Sequence, residues 1–171
     1  MPKLISTAKN FPWIEGQNIL ETYLAETLPT IELCTAAYAI VIKDKRLLHT
    51  ELREGERPTK QLDIPGGHLD RDETPEHGVV RETYEETGVR VKVVKPVGYM
   101  QVTILSEKPE NYRYPYPVSY MVFYLCEIVE ETAFDGSEET HGRVWIPFDE
   151  LEKSEWCQTN KVFIESVLNS N

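Results

Sequence analysis

Along most of this chain, apolar residues fall in runs that suit strands, and one segment has the spacing of a helix. Leu33 to Ile42 is almost wholly apolar and rich in Val, Ile and Ala. Such a run predicts a central strand covered on both faces. A Lys43–Asp44–Lys45 turn leads into Arg46–Leu47–Leu48–His49. After a polar loop (51–60) come Gln61 to Ile64, a Pro65–Gly66–Gly67 turn and a helix from about Pro75 to Thr87. Val89 to Val94, Gly98 to Leu105, Val118 to Val129 and Arg143 to Ile146 read as strands, and 149–155 and 161–168 as helical. Ahead of these, Ile19, Leu20, Tyr23, Leu24 and Leu28 recur at helix-like intervals before Pro29. They predict a short amphipathic helix in an N-terminal extension, residues 1–30, ahead of a main domain over 31–171. Strands interleaved with helices predict an α/β class with a mixed sheet between helices.

Composition narrows the function classes. The 171 residues leave room for one domain with a proper core. With 18 basic and 29 acidic side chains, the net charge of -11 disfavours DNA or an anionic membrane as partner. A small anionic substrate remains compatible, because bound cations reverse the field locally. Cys34, Cys126 and Cys157 show no zinc or CxxC spacing, and no apolar run suits a signal peptide or membrane span. The expectation is a soluble, cytoplasmic protein with reduced thiols. The amphipathic N-terminal segment leaves room for a homodimer.

Chemistry concentrates between Gly67 and Val89. Thr74 suits an N-cap, Pro75 the first helical turn and Gly88 the helix end. Glu82, Glu85 and Glu86 then stand at i, i+3 and i+4 on one helix face. Three clustered carboxylates repel one another, and a hard divalent cation removes that cost. Arg81 lies four residues before Glu85, can reach back to Glu73, and is suited to fixing carboxylate orientation. The Gly66–Gly67 turn brings backbone amides close to the helix. A bland surface helix is the usual explanation of a charge run. Seven positions here fit one pattern of Gly, Glu and Arg, which chance produces in ~10⁻⁵ of chains of this length.

These residues spell G-x5-E-x7-R-E-U-x-E-E-x-G-U, with U a bulky aliphatic, and so the segment resembles the Nudix box. Thr83 stands where an aliphatic residue is usual. The lead-in from Pro65 to Leu69 and the stretch from Trp145 to Leu151 are also similar to this family. The resemblance implies a Nudix-type α/β/α sandwich with a central mixed sheet. It implies a Mg²⁺-dependent pyrophosphohydrolase, with Mn²⁺ able to substitute, that cuts a phosphoanhydride bond in a nucleoside diphosphate derivative or nucleoside triphosphate. Metal-activated water would be the nucleophile. Glu82, Glu85, Glu86 and Gly67 would hold the metal, and Glu73 would support Arg81. The catalytic groups would be Glu82, Glu85, Arg81 and one further carboxylate from the 135–142 loop, Glu139 preferred over Glu138. Which glutamate is the general base stays open.

Substrate contacts are expected from loops. Arg53 and Arg57 precede the box, His68 follows the glycine turn, and Tyr112, Tyr114 and Tyr116 alternate with Arg113, Pro115 and Pro117. Aromatic rings beside a basic residue can stack on a base or cover a substrate. Two other readings fit the same fold. A non-catalytic nucleotide-sensing module would tolerate loss of box carboxylates, and none is missing. A prenyl diphosphate isomerase would use a cysteine, but Cys34 lies in an apolar run that suits the core.

Overall fold

Alternating side chains of two central strands face two different helices, and this arrangement sets the architecture. The computed structural model describes residues 1–53 and 62–169. In chain order the elements are β1 (Lys3–Lys9), β2 (Asn18–Leu24), β3 (Cys34–Lys43), β4 (Arg46–Leu52), β5 (Leu62–Asp63), β6 (Gly66–His68), α1 (Pro75–Thr87), β7 (Val89–Ile104), β8 (Val118–Glu131), β9 (Thr140–Pro147) and α2 (Glu155–Leu168). Ala37, Ala39 and Val41 of β3, with Val122, Tyr124 and Cys126 of β8, pack against Val79 of α1. Their neighbours Ile40 and Phe123 face the other way, onto Cys157, Phe163, Ile164 and Val167 of α2. The near-continuous apolar runs of β3 and β8 follow from this double coverage. The result is the expected α/β/α sandwich.

The strands run β1-β2-β7-β8-β3-β4-β5, with β6 also paired to β3 and β9 to β4. Only β3 and β8 are parallel among the described pairs, so the sheet is mixed. Gly66 (φ 147°) marks where the chain crosses β3 closely: a Cβ there would sit 2.3 Å from the Ala37 carbonyl oxygen. Only glycine fits this crossing, and it sets β6 between β3 and α1.

Several boundaries differ from the sequence expectation. The predicted helix at Asn18–Leu28 is instead strand β2. Asn18, Leu20 and Thr22 are buried while Ile19 and Glu21 are less so, a period of two. Leu20 joins Val102 and Ile104 of β7 in a small apolar cluster, and β2 pairs with β7 from Asn18↔Ile104 to Leu24↔Gly98. Ile19, Thr22 and Tyr23 favour strands, and an open β7 edge outweighs the helix-like spacing. The two strands expected over 89–105 are one, β7, because register shifts near Val91, Lys95 and Gly98 absorb Pro96. β8 runs on to Glu131 and β9 starts at Thr140, leaving 132–139 as the loop between them. The 149–155 segment is a 3-10 turn over Phe148–Lys153, and α2 begins earlier than expected, with a kink at Asn160.

Candidate active site

Helix α1 forms as its sequence dictates. The Thr74 hydroxyl accepts the His77 backbone N–H at 3.3 Å, Pro75 occupies the first turn, and Gly88 closes the helix in the left-handed region. Val79, Thr83, Glu86 and Thr87 form its buried face. Thr83, the one departure from the box, is fully buried, and its hydroxyl donates to the Val79 carbonyl at 2.6 Å. Its polar atom is thereby satisfied within the helix. Glu85 is half exposed and Glu82 is mostly covered.

Arg81 is the hub of the acidic face. Its Nε and Nη2 donate to the two Glu73 oxygens at 2.9 and 2.8 Å, a bidentate fork. Its Nη1 donates to Glu82 at 2.9 Å and Glu85 at 3.0 Å, and Nη2 also reaches the His68 carbonyl at 3.1 Å. These bonds hold Glu73 ionised, with its pKa below the usual carboxylate range. Glu73 in turn accepts the Asp70 N–H and so ties down the loop before the helix.

Glu86 has a different environment. It is 6% exposed, and its carboxylate accepts the Gly66 N–H at 2.9 Å. Burial raises its pKa to about 8, reinforced by the charges of Glu82, Asp63 and Glu139. Glu82 is also raised, chiefly by burial, although Arg81 opposes it. A Cβ on Gly67 would lie 2.9 Å from the Glu82 carboxyl, so this glycine lets the carboxylate rest against the backbone. Among the described residues, no three His, Cys, Asp or Glu side chains converge as a closed metal-binding group. Arg81 takes up oxygens of Glu82 and Glu85 instead.

The 132–139 loop is fixed against α1 from two sides. The Thr140 hydroxyl donates to the Glu86 backbone carbonyl at 3.0 Å. Arg53 donates from its backbone N–H to the Glu139 carbonyl at 2.9 Å and from Nε to the Ser137 carbonyl at 2.7 Å. Glu139 thereby comes within electrostatic reach of Glu82 and Glu86. Arg53 holds this loop in place, a role distinct from the expected substrate contact. Arg57 lies outside the described residues.

His68 and two of the three tyrosines come together beside the box. The Tyr114 ring stacks on His68 with centroids 5.2 Å apart, and Tyr112 meets Tyr114 edge-on at 5.6 Å. The Tyr114 hydroxyl lies 2.9 Å from His68 Nε2 and accepts from Arg113 at 2.9 Å. Burial, then the Arg113 charge, lowers the His68 pKa and so favours the uncharged ring. Tyr116 stands apart, its hydroxyl donating to the Ser106 carbonyl. Cys34 sits at the start of β3 with its thiol raised to about 11 by burial. The sequence reading missed Asp63, a buried acid two residues before Pro65 whose charge acts on Glu86. A single acid between Leu62 and Ile64 was the available signal.

The NUDIX domain family model matches residues 33–167. A MutT-like protein of Streptomyces ambofaciens is 43% identical over 77 residues, covering 45% of this chain and 47% of that protein, about half its length. The 8-oxo-dGTP diphosphatase of Haemophilus influenzae is 26% identical over 120 residues, covering 70% of this chain and 79% of that protein. Among solved structures, the Bacillus subtilis pyrophosphohydrolase BsRppH superposes with a TM-score of 0.68 at 20% identity, covering 98% of both chains. A NUDIX hydrolase from Nitrosomonas europaea gives 0.61 at 19% identity, over 79% of this chain and 88% of that one. At such identities these likenesses concern the fold. With its family model spanning most of the chain and the box carboxylates Glu82, Glu85 and Glu86 gathered on α1, the chain belongs to the Nudix family.

Proposed function

We propose that this protein hydrolyses a phosphoanhydride bond of a nucleoside triphosphate or a nucleoside diphosphate derivative, with Mg²⁺ held by Glu82, Glu85, Glu86 and the Gly67 carbonyl. One observation carries the reading: Arg81 orders Glu73, Glu82 and Glu85, while Glu86 is buried within reach of the charges of Glu82, Asp63 and Glu139. The donor set fits a hard divalent cation, being all oxygen and rich in negative charge. Such a cation supplies charge neutralisation on the diphosphate and lowers the pKa of the attacking water. Mn²⁺ meets the same donors.

The remaining work falls to the protein. Arg81 and Glu73 hold the ligand carboxylates in orientation, and the Gly66 N–H keeps Glu86 pointed inward. Glu139, fixed by Arg53 and Thr140, takes the proton from the attacking water. The water oxygen bonds to phosphorus and the bridging P–O bond breaks. The diphosphatase activity named for the Haemophilus relative, which this chain matches over 79% of its length, supports triphosphates as a substrate class.

The test is a phosphate-release screen over nucleoside triphosphates, nucleotide sugars, dinucleotides and triphosphorylated RNA, with Mg²⁺, Mn²⁺ or chelator. Hydrolysis should require the metal. Glu85→Gln or Glu86→Gln should lower turnover by roughly 10²-fold or more while the thermal transition persists. Full activity in either variant, or hydrolysis in chelator, would sink the assignment.

A further inference from the structure

Arginines near a phosphate site are informative by what occupies them. All three nitrogens of Arg81 are taken by Glu73, Glu82, Glu85 and the His68 carbonyl. Arg53 gives its Nε to the Ser137 carbonyl of the 132–139 loop. Unlike Arg81, Arg113 donates to a hydroxyl, that of Tyr114, and makes no ion pair among the described residues. In a chain with 29 acidic side chains, a cation beside the site without an acidic partner is conspicuous. A guanidinium has five donors in a fixed fork, so most remain available to an anion.

Its support is also continuous with the box. The guanidinium carbon lies 5.1 Å from the Tyr114 centroid, Tyr114 stacks on His68, and the His68 carbonyl is bonded by Arg81. Tyr112 braces Tyr114 edge-on and packs into the apolar cluster with Leu20 and Val102. Arg113 is thus held one tyrosine and one histidine away from the carboxylates. Holding a long side chain in advance reduces the entropy lost when it binds an anion.

We propose that Arg113, held by Tyr114 on His68, binds a phosphate of the substrate outside the cleaved diphosphate. This rests on the metal-dependent hydrolysis proposed above. It favours triphosphate-bearing substrates over those with two phosphates and a neutral second moiety. Tyr114 acts through Arg113 by fixing the guanidinium.

The experiment compares Arg113→Ala, Arg113→Lys and Tyr114→Phe with the wild type, using GTP and a nucleotide sugar with Mg²⁺. Arg113→Ala should raise KM for GTP about tenfold, the worth of one charge-assisted bond, with kcat within about twofold. KM for the nucleotide sugar should stay unchanged. Calorimetric binding of inorganic tripolyphosphate should weaken by the same factor. Arg113→Lys should recover part of the loss, and Tyr114→Phe should add little in the Arg113→Ala background. An unaltered KM and unaltered tripolyphosphate binding in Arg113→Ala overturn this inference alone, as does an equal rise for both substrates. Failure of the wild type to hydrolyse anything in the screen overturns the underlying reading and this one together.

Discussion

At the scale of single residues, Arg81 shows why side-chain type matters more than charge. Its fork satisfies both Glu73 oxygens while its third nitrogen reaches Glu82 and Glu85. A lysine offers one point charge on a flexible stem and cannot span these partners together. Arg81→Lys should therefore lower kcat/KM about 10- to 100-fold and weaken Mg²⁺ activation, the usual cost of misorienting metal-ligating groups. Glu73→Gln, which keeps the shape and removes the charge, should cost less. Both are read from a Mg²⁺ titration of the hydrolysis rate. A lysine variant with wild-type activation would mean that Arg81 does not orient the carboxylates. The sequence made these partners legible because box and helix spacing alone bring 73, 81, 82 and 85 together. Asp63 and the ordering roles of Arg53 and Thr140 were not legible, since they depend on β4, β5 and β9 meeting across the sheet.

At the scale of elements, α2 is attached through a buried polar network. His49 of β4 is fully buried, its Nδ1–H donating to the Leu47 carbonyl at 3.2 Å. Its Nε2 lies 3.0 Å from the hydroxyl of Ser154, the N-cap of α2, and 3.3 Å from the Cys157 sulfur. Burial lowers the His49 pKa to about 4. The folded value is below the unfolded one, so folding favours the neutral ring. The contribution is complete above about pH 6.5 and is lost progressively as pH falls towards 4. It amounts to at most about 3 kcal/mol. Urea unfolding at pH 7 and 4.5 should show a steeper loss for the wild type than for His49→Gln. Parallel losses would remove His49 from the acid response. Nothing in the sequence pairs His49 with Ser154, 105 residues later. The apolar run of β3, by contrast, announced its double coverage outright.

At the scale of the whole molecule, the N-terminal strands connect stability to substrate recognition without carrying any chemistry themselves. Sequence spacing suggested a helix there because Leu20 and Leu24 satisfy both periods, and the choice is made by an edge far along the chain. β2 covers the β7 edge from Gly98 to Ile104. A Cβ on Gly98 would fall 2.1 Å from the Tyr23 carbonyl oxygen, which shows how closely the two backbones meet. The Leu105 N–H donates to the Gln17 carbonyl at 2.7 Å, so the N-terminal segment also holds the start of the loop that carries Tyr112, Arg113 and Tyr114. Tyr112 shares its apolar cluster with Leu20, Val102 and Ile104. Leu20→Ala should cost about 2 to 4 kcal/mol, the usual penalty for a buried leucine. If the cluster positions the tyrosine loop, the same change should raise KM for the preferred substrate several-fold while kcat holds, because the carboxylates on α1 lie outside that cluster. Thermal melts and steady-state kinetics below the transition separate the two effects. A melt shifted downward with KM untouched would show that β2 stabilises the sheet alone, and that the loop keeps its shape without it.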